Sequence, residues 1–130
     1  AAVTARFGAA GLMLMAAIAG IVRWPLLALS TDLPVLFIAQ ALHAFTFGAA
    51  HLGAMAFLSR AIPPSLSATA QTLHGAVALG LASAVISPML GGLYAAWGGG
   101  AFYAMAVLSV IGGAVAFIVA RRWNGELIDI

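Results

Sequence analysis

Arginine, histidine, amide and hydroxyl side chains stand inside otherwise apolar stretches, and these are the residues able to do chemistry. Arg23 lies within Ile21-Val22-Arg23-Trp24-Pro25. A guanidinium in apolar surroundings binds an anion, either a solute carboxylate or an acid elsewhere in the protein; the competing reading is that its long stem reaches out to a polar boundary. Gln40, His43, Phe47 and His51 are spaced three, four and four apart, so on a helix they share one face, with Thr46 close by. Two imidazoles and an amide on one face suggest the wall of a cavity, against the plainer reading that each bonds a neighbouring helix. Gln71 and His74, three apart, lie at a depth similar to His51 and are expected to form a polar lock with it. The alternative is that they bond backbone or water near a helix start.

Other chemistries are excluded or unsupported. Eight residues separate His43 from His51, ~12 Å along a helix, which is too far to share a metal. No carboxylate supports a metal site there, and the chain has no cysteine. No acid pair, nucleophile constellation or phosphate-cradling glycine loop is present, so no catalytic residue, enzyme activity or cofactor is expected.

The elements that must carry these residues follow from composition. The chain has 130 residues, 65% hydrophobic and only 6% charged. A soluble domain carries about 25% charged residues, so this surface cannot be solvated by water, and its main partner is the lipid bilayer. The same arithmetic argues against nucleic acid as a partner: a pI of about 10.0 rests on five arginines against three acids. Four apolar runs, at about 7–29, 34–58, 68–96 and 101–120, are each long enough for a helix to cross ~30 Å of hydrocarbon. They are rich in Ala, Leu and Met and do not alternate in polarity, which favours helix over barrel strand. The expectation is an all-α, polytopic membrane domain over 1–130, with four antiparallel transmembrane helices. Ser30-Thr31-Asp32 is expected to cap the second helix, and Ser65 or Ser67 the third. The chain starts Ala1-Ala2-Val3-Thr4, without Met, and reads as the middle of a longer protein.

Charge predicts orientation. Arg6, Arg60, Arg121 and Arg122 fall on one side of four antiparallel spans, so both termini are expected in the cytoplasm, as suits an inner cell membrane. Trp24, Tyr94, Trp97 and Tyr103 then mark the outer interface and Trp123 the inner one. Ala16/Gly20, Ala49/Gly53, Ala76/Gly80 and Gly80/Ala84 have the four-residue spacing that lets helices approach in lipid. The fourth span, with Ser109 as its main polar residue, reads as peripheral and lipid-facing.

The stretches Val22-Arg23-Trp24, Gln40-Ala41-Leu42-His43-Ala44-Phe45-Thr46-Phe47-Gly48, Phe57-Leu58 and Ser67-Ala68-Thr69-Ala70-Gln71 resemble the last four spans of a major facilitator superfamily transporter. The likeness is to the phenylpropionate permease and nucleoside:proton symporter type, related to lactose permease. It implies a twelve-span parent, with this chain as spans nine to twelve and the remaining spans as its partners. It also implies proton-coupled symport of a small organic solute (an aromatic acid, a sugar or a nucleoside) by alternating access. By motif, an arginine and a histidine of the central cavity fall on Arg23 and His43. Gln40, Thr46 and Phe47 complete the expected solute and proton pathway, with His51, Gln71 and His74 as a cytoplasmic-side gate. The branch carries a proton-binding glutamate three residues after the histidine, and here that position is Thr46. Either His43 carries the proton, or an acid in other spans does, or coupling differs. The competing expectations are a complete four-helix protein resembling small multidrug exporters, which lacks their membrane-embedded glutamate, and a structural membrane subunit.

Overall fold

The structure is a computed structural model describing residues 2–128; Ala1, Asp129 and Ile130 lie outside the described residues. Every regular element among the described residues is helical. The first helix is Ala2–Leu29, broken at Gly8, whose φ of 68° and ψ of 171° lie where a side chain is not tolerated. The uninterrupted part thus begins just after Phe7. The second helix, Leu33–Ala61, opens with Pro34 in its first turn and ends where Ile62 turns extended ahead of Pro63 and Pro64. Asp32 holds its N-cap position without a side-chain capping bond; instead the Asp32 amide donates to Ser30 Oγ at 3.0 Å.

The third helix starts earlier than the hydropathy pattern predicts, at Pro64, and runs to Trp97. Its N-cap position is held by Pro63, so neither Ser65 nor Ser67 caps it. Proline suits the first helical position because its missing N–H would be unpaired there anyway. A tight turn, Gly98–Ala101, leads to the fourth helix, Phe102–Arg122. Residues 64–122 form 59 apolar, nearly continuous helical residues. At 1.5 Å per residue that is ~90 Å, about three bilayer cores. Gly98, at φ 56° and ψ −136°, breaks the run and sends the chain back.

Residue pairings give the directions. Gly20 meets Ser109, Ala17 meets Gly113, and Gly99 lies on the Ala28 carbonyl, so the fourth helix runs antiparallel to the first. Gly53 lies on Ala9 and Met13, and Ala39 lies beside Arg23, so the second helix is antiparallel to the first as well. The first helix is therefore central. Its buried residues are Ala9, Leu12, Ala16, Ala19 and Gly20, and Leu12 is the one large side chain fully enclosed. A core built of alanine and glycine is what lipid selects, because close van der Waals packing drives association there and burial from water does not.

The fourth helix has few polar residues and is largely exposed, with Ala116 its one buried residue. It packs along the first helix through Ser109, Gly113 and the buried Ala116. The third helix is the loosely held one: none of its residues is buried. Of the small-residue pairs, Ala16/Gly20 and Ala49/Gly53 are buried between helices, whereas Ala76, Gly80 and Ala84 are exposed. At one end of the bundle Trp24 stacks on Phe102, with ring centroids 5.9 Å apart, and Tyr94 meets Phe102 edge-on. At the other end Trp123 packs edge-on against Phe57 at 4.7 Å, and the Ile128 amide donates to the Ala61 carbonyl at 2.8 Å.

The second and third helices each contain a wide, π-helical turn, Ala44–Ala49 and Gly75–Leu81. Such turns, with bonds reaching one residue further than in an α-helix, are frequent at functional sites. The first of them holds Thr46 and Phe47.

Candidate functional site

A cavity of about 660 Å³ opens between the first, second and fourth helices. Arg23, Trp24, His43, Thr46, Phe47 and Ser109 supply its polar and aromatic wall. Alanines and glycines of the helix seams make the space: Ala16 and Ala17 from the first helix, Gly112 and Ala116 from the fourth.

Arg23 is half-buried. Its Nε–H donates to the Ala39 carbonyl at 3.0 Å, and its Cζ lies 4.4 Å from the centre of the Trp24 ring. No acid pairs with it among the described residues, and its two terminal nitrogens make no hydrogen bond among them. A cation beside an apolar cavity attracts an anion more strongly than it would in water, because the local dielectric is low.

His43 is tied to the π turn one step along the chain. The Thr46 hydroxyl donates to the His43 carbonyl at 3.1 Å, and Thr46 Oγ1 lies 3.3 Å from His43 Nδ1. A hydroxyl has a single proton. With that proton on the carbonyl, Oγ1 faces the ring as an acceptor, an arrangement that suits the tautomer with hydrogen on Nδ1. His43, Phe47 and His51 form a ladder of rings, with centroids 5.9 Å and 6.2 Å apart.

The other expected residues distribute unevenly. Gln40 is exposed and lies outside the cavity wall. Its neighbour Ala39, four residues before His43 and so about 40° from it in direction, supplies the carbonyl that accepts from Arg23. His51 and His74 line a second, smaller crevice between the second and third helices, about 160 Å³. Thr46, Phe47 and Ala50 border both spaces, so the π turn is the partition between them. Gln71 is not part of that crevice; its amide donates to Ser67 Oγ at 3.1 Å on its own helix. No three His, Asp or Glu side chains gather among the described residues in a way that could hold a metal.

Two wall residues were not assigned to the pathway by the sequence. Trp24 reads as an interfacial aromatic, yet it lies under the Arg23 guanidinium. Ser109 reads as an isolated hydroxyl of the fourth span, yet it stands against Gly20 and donates to the Met105 carbonyl at 3.0 Å. The available signals were the Arg-Trp adjacency and a lone hydroxyl at the depth of the arginine.

Comparison with known proteins agrees with the long apolar helices. The model of the MFS_1 like family matches residues 1–107. The chain belongs to this transporter family. Over 105 residues it is 36% identical to the probable 3-phenylpropionic acid transporter of Escherichia coli (strain K12), an alignment covering 81% of this chain and 27% of that protein. The chain thus spans about a quarter of the length of that curated relative. No solved structure matches it. Family membership and the long apolar helices make this a multi-pass membrane protein of a transporter family.

Proposed function

We propose that the chain forms four of the twelve spans, nine to twelve, of a secondary active transporter that moves a small organic acid together with a proton. The observation that carries the reading is the cavity itself: one unpaired guanidinium and one hydroxyl-linked imidazole wall the same space inside apolar helices. Arg23 receives the solute carboxylate. The relative's 3-phenylpropionic acid is an aromatic ring joined to a carboxylate by a short aliphatic linker, and Trp24, Phe47 and Met13 offer its apolar part a matching surface.

His43 carries the proton in place of the acid that related symporters use at the position of Thr46. Thr46 holds Nδ1–H, and Nε2 takes up and releases the transported proton. Coupling follows from charge. A guanidinium and an imidazolium repel each other in one low-dielectric cavity, and a bound carboxylate cancels the repulsion. Solute anion and proton therefore favour each other's binding, a reciprocal linkage. Release of both follows when the helix bundles rock and the cavity opens to the other side. His51 and His74 gate the crevice beyond the partition. The arginine-rich side, with both termini, faces the cytoplasm of an inner membrane.

The test is uptake of labelled 3-phenylpropionate by the full-length parent, wild type against Arg23→Ala and His43→Ala. Loss of uptake in both supports the reading. Wild-type uptake in both would remove it.

A further inference from the structure

We propose that Trp24 is a positioning residue: together with the Ala39 carbonyl it holds the Arg23 guanidinium as a fixed, two-pronged receptor for a carboxylate. This rests on reading Arg23 as the anion site. The guanidinium is a flat group on a flexible stem, and in a wide cavity it would sample many directions. Here two contacts remove that freedom. The Nε edge is tied to Ala39 at 3.0 Å, and Cζ lies over the Trp24 ring, 4.4 Å from its centre. With Nε engaged, a carboxylate meets the guanidinium end-on through Nη1 and Nη2, which form the parallel pair of hydrogen bonds that matches its two oxygens.

Trp24 is itself held. It stacks on Phe102 of the fourth helix, nearly parallel at 14°, and Phe102 is met edge-on at 5.9 Å by Tyr94 of the third helix. The direction of the receptor is thus set by the fourth helix and, through Tyr94, by the third. The second helix sets it through the Ala39 carbonyl. Pre-setting the receptor lowers the entropy cost of binding, so its loss weakens affinity while the number of charges in the cavity stays the same.

The experiment measures 3-phenylpropionate uptake by the full-length parent carrying Trp24→Leu, Trp24→Phe or Arg23→Ala. An aromatic face over a partly desolvated cation is worth a modest energy, so Trp24→Leu is expected to raise KM about tenfold with Vmax within about twofold of wild type. Trp24→Phe keeps a ring and is expected to stay within about threefold of wild-type KM. Wild-type KM in Trp24→Leu, together with loss of uptake in Arg23→Ala, overturns the positioning role and leaves the anion site standing. KM and Vmax collapsing together in both tryptophan variants overturns it too, because that pattern marks a purely structural ring. Wild-type behaviour of Arg23→Ala, or absence of uptake by the unmodified transporter, removes the anion-site reading, and this inference with it.

Discussion

The first and third helices carry the same small-residue spacing and put it to opposite use. In the first, Ala16 and Gly20 are buried, and Gly20 lies against Ser109 of the fourth helix. In the third, Ala76, Gly80 and Ala84 are open, and a Cβ added at Gly80 would meet only the Gly75 carbonyl at 3.9 Å. Four-residue spacing permits close approach but does not supply a partner. The difference also separates the two polar spaces. The large cavity has tightly packed walls on three helices, whereas the crevice holding His51 and His74 has the loosely held third helix as one wall.

The largest effect should come from the packed side. Arg23→Ala is expected to reduce uptake of 3-phenylpropionate at least about 100-fold, the scale of leaving one partner of a desolvated charge pair alone. His74→Gln, in the crevice, should cost no more than about threefold, the size of one ordinary hydrogen bond. Equal losses would show that the two spaces act as one. Next in size is the seam. Gly53→Ala places a Cβ 2.9 Å from both the Ala9 carbonyl oxygen and Met13 Cγ, and is expected to destabilise the folded protein in detergent by about 2 kcal/mol. Gly113→Ala, where the new carbon would sit 3.1 Å from Ala17 Cβ, should cost about 1 kcal/mol in the same thermal-unfolding measurement. Gly80→Ala closes the series, with a change under about 0.5 kcal/mol. A seam-sized loss at Gly80 would mean that the third helix has a close neighbour in the full protein.

Proton coupling sharpens the same contrast. Under the proposed coupling of acid and proton, affinity for the acid should improve as external pH falls. His43→Gln should flatten that dependence. His51→Gln should leave it in place, since His51 faces the other space.

Much of the fold was legible because hydropathy and length decide it. Runs long enough to cross lipid became helices, and Gly98-Gly99-Gly100 became the turn between the last two. The spacing of His43, Phe47 and His51 gave their shared face, which the ring ladder shows. Three features were not legible. A π turn adds no signature to an apolar pattern, so the wide turns at Ala44–Ala49 and Gly75–Leu81 left no trace in the sequence. The acceptor for Arg23 is a backbone carbonyl, which every residue has, so nothing in the sequence marks Ala39 as its partner. The seam of the fourth helix against the first carries no polar signature, because small residues make it: Gly113 and Ala116.

Thiol accessibility tests the central claim, a solute passage between the first, second and fourth helices, most directly. Residues 1–130 contain no cysteine, so single cysteines introduced here report without background from this region. In the full-length transporter cleared of its other cysteines, Thr46→Cys on the cavity wall and Ile18→Cys on the outward face, 62% exposed, are treated with a membrane-impermeant thiol reagent. The account predicts labelling of Thr46→Cys that slows when 3-phenylpropionate is added, and none of Ile18→Cys. Labelling of Ile18→Cys with Thr46→Cys inert would contradict it.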